Sequence, residues 1–139
     1  MYKFVLAATI ALCPAVALAD AFDSGWKTVD APDLIDLSIS GAGVRVNNLT
    51  ITKARPSRLD GLGNYYFTSS VTKQVAEPRD VKITIIGFKE DKTTTIMSGV
   101  FRSIDDPQEN RVLCLQIEFT AFPADVAATT TYHVRVLVP

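Results

Sequence analysis

From Leu34 to Val138 apolar and polar residues alternate with a period of two, and Val, Ile, Thr, Tyr and Phe recur between clusters of turn residues. A period of two sends successive side chains to opposite faces of an extended strand, so the pattern predicts half-buried antiparallel sheet. Residues 34–40 read as a first strand, closed by the turn Gly41-Ala42-Gly43. Residues 44–54 read as a long second strand with Val44, Val46, Leu49 and Ile51 apolar. Its phase slips by one at Asn47-Asn48, and one extra residue there restores the facing, so a β-bulge or kink is expected.

A loop spans residues 56–63, and residues 64–75 form a third strand with Tyr65, Phe67, Val71 and Val75 on one face. Residues 81–89 form a fourth, with Val81, Ile83 and Ile85 inward. Ile86 and Phe88 on its other face point to cover on both sides. Residues 93–102, 111–122 and 129–138 complete the set. Leu113, Leu115, Ile117 and Phe119 face inward on the sixth strand, and Tyr132, Val134, Val136 and Val138 do so on the last. Residues 20–33 lack the alternation and read as an N-terminal arm, with Phe22 and Trp26 to pack on the domain. About seven strands with turn signals near every tenth residue predict an all-β immunoglobulin- or fibronectin-III-like antiparallel sandwich over residues 34–139.

The first nineteen residues change the picture. Lys3 precedes an apolar run from Phe4 to Leu12, and Ala17-Leu18-Ala19 supplies small residues before Asp20. This is the pattern of a secretory signal peptide cut after Ala19. The run is shorter than the ~20 apolar residues a membrane helix needs, so no stable membrane insertion is expected. The short, weakly charged leader suits a bacterial Sec-type signal and a periplasmic or secreted product.

Charge narrows the partners. The precursor carries 14 Lys+Arg against 15 Asp+Glu. Loss of Lys3 leaves a slightly acidic mature chain, against nucleic acid or an anionic membrane, where clustered positive charge supplies the affinity. Cys13 leaves with the leader, so Cys114 stands alone, and neither an internal disulfide nor a multi-cysteine metal site is available. Cys114 reads as a small buried residue, or as a thiol for pairing between chains in an oxidising compartment.

Four residues are candidate partner contacts. Lys53, Arg55 and Arg58 form a small basic set where a strand meets a loop, suited to an acidic group or to blocking edge pairing. Tyr66 follows the 61–63 glycine loop and offers aromatic area with a polar handle. Asp105, Asp106, Glu109 and Asn110 supply oxygen ligands of the kind Ca²⁺ takes, without EF-hand spacing; a solvated turn explains them as well. His133 lies opposite the apolar set of its strand, and no nucleophile motif accompanies it.

Residues 66–74, the strand 81–91 running into the acidic turn Glu90-Asp91, and Phe122-Pro123 followed by Tyr132-His133-Val134-Arg135-Val136 carry a family resemblance. The chain resembles the bacterial FxLYD-type secreted domain, an immunoglobulin-like sandwich, over about two thirds of its mature length. Lys73 stands where that family places Asn. The resemblance implies no catalysis and no cofactor. The expectation is a non-enzymatic domain that binds another envelope or secreted protein. The alternative is a small carbohydrate- or metal-binding module using loops at one end. An exposed apolar patch on one face would favour the first; clustered aromatics or carboxylates at one loop end would favour the second.

Overall fold

A computed structural model of the chain describes residues 21–56 and 61–139. The expected signal peptide and Arg58 lie outside the described residues. In chain order the elements are β1 (Phe22–Asp23), β2 (Lys27–Asp30), a 3-10 helix (Ala31–Asp36), β3 (Ile39–Gly41), β4 (Val44–Pro56) and β5 (Gly63–Lys73). Then follow β6 (Arg79–Phe88), β7 (Thr94–Ile104), β8 (Arg111–Ala121), α1 (Pro123–Ala128) and β9 (Thr131–Val138).

Two antiparallel sheets pack face to face. One has the order β1-β9-β6-β7, with β2 also on β9; the other has the order β3-β4-β5-β8. The expected alternation fills the space between them. Val46, Leu49, Phe67 and Val71 of the second sheet and Val81, Ile83, Ile85, Val134 and Val136 of the first are all but fully buried. Removing these side chains from water is the main favourable term in folding, with no disulfide to assist. The β-sandwich follows directly from this pattern.

The phase slip in β4 is a true irregularity: the pairing with β5 shifts between Asn47 and Thr50. Asn48 takes a φ of 51°. Asn tolerates that left-handed conformation better than most residues, so one extra residue returns Leu49 and Ile51 to the core side.

Three expectations change. The first strand expected over residues 34–40 is mostly absent. Pro32 sits in the first turn of the 3-10 helix, where its fixed φ is pre-set. The Leu37 N–H donates to the Leu34 carbonyl at 3.2 Å, closing the turn. Leu34 is thereby turned inward at 4 % exposure, and only Ile39–Gly41 pairs with β4.

The N-terminal arm is part of a sheet. Phe22 and Asp23 pair with Val138 and Leu137, and Lys27 to Asp30 pair with Val134 to Thr131. The Ser24 N–H donates to the Val136 carbonyl at 2.9 Å and the Val136 N–H to the Ser24 hydroxyl at 2.8 Å, holding the break between them. Trp26 does not pack on the core; it is 45 % exposed, with the Arg135 guanidinium 5.9 Å from its ring centre.

Among the described residues, no second layer covers the outer face of β6. Ile86 and Phe88 are only half-buried, by neighbours in their own sheet.

Lys73 has a structural reason to be charged. It ends β5 at 1 % exposure, and its ammonium donates to the carbonyls of Val75, Ala76 and Glu77 at 2.6, 2.9 and 3.1 Å. Three charge-assisted bonds offset the desolvation of the ammonium and fix the crossover from β5 to β6.

Candidate interaction surface

Because paired residues share a face, the ladder registers specify what each sheet shows to solvent. On the sheet containing β9 and β6, one row across the outer face runs Thr28, His133, Ile86, Met97. The next runs Arg135, Thr84, Gly99, and the next Asp23, Leu137, Lys82, Phe101. Met97 is 69 % exposed and Phe101 59 %, both on β7. Phe22, Leu137, Val138 and Phe101 line a shallow apolar pocket of about 430 Å³, with Lys82 at its rim. At the far end of the face the His133 ring lies against Phe88, centroids 4.6 Å apart.

The other sheet shows a different surface. Its rows are Arg45, Thr72, Val112; Asn47, Ser70, Cys114; Thr50, Thr68, Gln116; and Thr52, Tyr66, Glu118. Hydroxyls and amides dominate, although Thr72 is buried and Val112 is an exposed apolar residue among them.

β7 and β8 are both edge strands, and they lie on the same side of the sandwich. Between them runs an open slot of about 400 Å³ where Val100, Leu113 and Leu115 are reached from outside past Arg102 and Gln116. Core-facing residues there are only half-covered, as Val100, Leu113, Ile117 and Phe119 show.

Of the residues singled out from sequence, the described Lys53 and Tyr66 are not brought together. Lys53 is exposed and pairs with Tyr65, whereas Tyr66 pairs with Thr52 and Glu118. Adjacent residues of a strand point to opposite faces, so Lys53 and Tyr66 do not share a surface. Arg55 lies near the end of β4.

The acidic loop is engaged internally. The Asp106 carboxylate accepts from the Gln108 N–H at 2.9 Å and from the Arg111 guanidinium. The Gln108 bond, then Arg111, holds its carboxyl below the usual carboxylate range. Among the described residues no group of three or more His, Cys, Asp or Glu is placed to hold a metal ion. Cys114, read as a buried residue, is instead exposed beside Ser70 on the polar face. Its position alternates with Leu113 and Leu115, and no third layer covers that face.

Met97, Gly99 and Phe101 were not singled out from sequence. The available signal was the low charge of β7, whose one charged residue is Arg102. Neither a family model nor a curated protein nor a solved structure matches the chain.

Proposed function

We propose that this chain is a non-enzymatic periplasmic or secreted domain, exported by the signal peptide cut after Ala19, that works by binding another protein of the cell envelope. Its sandwich is read as immunoglobulin- or fibronectin-III-like and related to the FxLYD-type domains. The observation that carries the binding reading is the asymmetry between the two outer faces. Met97 and Phe101 stand exposed in rows that also hold Ile86 and Leu137 on one sheet, while on the other Thr, Ser, Asn and Gln prevail around the exposed Val112. Isolated exposed apolar residues are ordinary, but a contiguous patch next to an apolar pocket marks a surface that is covered in use. Aromatic and Met side chains are also the types enriched at interface cores.

Site-specific photo-crosslinking in the secreting cell tests this. A photoreactive residue at Phe101 or Met97 captures protein partners, and one at Thr68 or Thr50 on the polar face does not. Equal capture from both faces, or none from Phe101, removes the reading.

A further inference from the structure

We infer that β7 is the contact between two copies of this chain, pairing antiparallel with itself about a twofold axis at Gly99. The inference rests on the reading of this side as an interaction surface and goes beyond it by naming the occupant.

β7 is an edge strand of eleven residues, Thr94–Ile104, with no proline and one charge. An edge of this kind leaves a row of N–H and C=O groups unpaired and is normally guarded. The other edges show such guards, and β4 beyond Val46, paired on one side only among the described residues, is flanked by the 3-10 helix and carries Lys53. β1 and β2 are short and separated by a break, and β3 has three residues. β8 carries Arg111 and Glu118. Beyond the register shift at its start, opposite Gly87 and Phe88, β7 pairs regularly with β6 and carries no such device.

The sequence of β7 is self-complementary. A twofold axis at Gly99 pairs Ile96 to Arg102, within the regular stretch that begins after the register shift, residue for residue. Met97 of each copy then lies opposite Phe101 of the other, with the bare backbone of Gly99 between the two pairs. Ser98 meets Val100, and Ile96 meets Arg102. Sulfur against an aromatic ring is a favourable contact. The two most exposed large apolar residues of this face thereby cover each other, and the row Leu137, Lys82, Phe101 continues across the axis into Met97, Ile86, His133. An unrelated strand has no reason to match this symmetric spacing, whereas an isologous dimer requires it.

Charge and hydrogen bonding agree. The two Arg102 side chains are six residues apart along the paired strands, about 20 Å, beyond the ~8 Å screening length of physiological salt. Seven paired residues make about six to eight backbone hydrogen bonds, within the range carried by a typical specific interface.

Sedimentation of the mature chain from low micromolar to about 100 µM tests the association, a range suited to dimers of micromolar affinity. A concentration-dependent dimer is expected. Met97→Lys and Phe101→Lys, each at an exposed site, are expected to weaken it at least about tenfold while leaving the melting temperature within a few degrees. The register is read in a Cys114→Ser background carrying Met97→Cys and Phe101→Cys. Under mild oxidation the two positions join between chains, and peptide mapping finds 97 linked to 101. A monomer throughout the range, a dimer indifferent to both lysine variants, or linkage of 97 to 97 overturns the inference. A monomer that still captures a foreign protein at Phe101 overturns the dimer alone. A β7 dimer that captures no foreign protein upholds it and removes the wider reading.

Discussion

On one lateral side of the sandwich the sheets end in β1, β2 and β3, strands of two to four residues, and in the part of β4 beyond Val46, which the 3-10 helix flanks; on the other they end in β7 and β8, of eleven residues each. On the first side the core-facing Leu34, Ile39 and Leu49 are buried, although shallow hollows remain between its elements. The 3-10 helix lays Leu34 into the core, and Phe22 packs so closely on Gly41 that a Cβ there would lie 2.2 Å from the ring. Asp23 and Arg135 pair across β1 and β9 at 2.9 and 2.5 Å. The second side has no such plug, and Val100, Leu113 and Leu115 are reached through the slot between the strands. Both sides end sheets of the same sandwich, yet only one has spent its local chemistry on closure. The difference separates an edge built for stability from an edge left free to pair.

The comparison is most sharply broken at Leu34. Leu34→Ala on the first side should cost about 2–5 kcal/mol, the range for emptying a buried leucine site. Phe101→Ala on the open side, measured well below the dimer dissociation constant, should stay within about 0.5 kcal/mol, as surface changes do. Urea unfolding of both variants checks this, and equal losses would erase the distinction between the sides.

Gly41→Ala should come next, at about 1–3 kcal/mol, because the new methyl must displace the Phe22 ring. Phe22→Ala in the same background should recover part of that loss. A Gly41→Ala protein as stable as the parent would mean that β1 does not seal this edge.

The Asp23–Arg135 pair gives a smaller, pH-dependent effect. The Arg135 hydrogen bond, then the Gly25 N–H, hold the Asp23 carboxyl down to about 2 from its ordinary 3.8. A depressed carboxyl stabilises the folded chain fully above the unfolded value and loses that contribution as pH falls through the folded one. The melting temperature of Asp23→Asn should therefore lie slightly below the parent at pH 6, with the gap closing between about pH 4 and pH 2. Both groups are exposed, so the gap is small and shrinks in high salt.

Smallest of all is Cys114. It is exposed on β8, and the described residues hold no second cysteine to close a loop with it. Cys114→Ser and added reductant should each leave the unfolding midpoint within error. A large drop with reductant would place a bridge between chains on the open side.

Much of this molecule was written locally. Period-two alternation was enough to place β5, β6, β8 and β9 and their inward residues, because burying one face of a strand selects its pattern directly. The Asn47-Asn48 phase slip announced the bulge for the same reason. Where neighbours further along the chain decided the outcome, the local pattern was insufficient. β1 and β2 are strands because β9, more than a hundred residues away, offers them backbone partners; their own residues do not alternate. Residues 34–37 show apolar spacing that suits a strand, but Pro32 and the hollow beside β4 favour a tight turn that buries Leu34. The candidate surface was the least legible part. Lys53 and Tyr66 are near in sequence and on opposite faces, a matter of parity set by pairing. That β7 is an edge, and that Met97 and Phe101 therefore stand uncovered, depends on the order of strands in the sheet. The sequence alone determined which residues avoid water; only the tertiary structure, through long-range strand pairing, decided which of them are left without a neighbour.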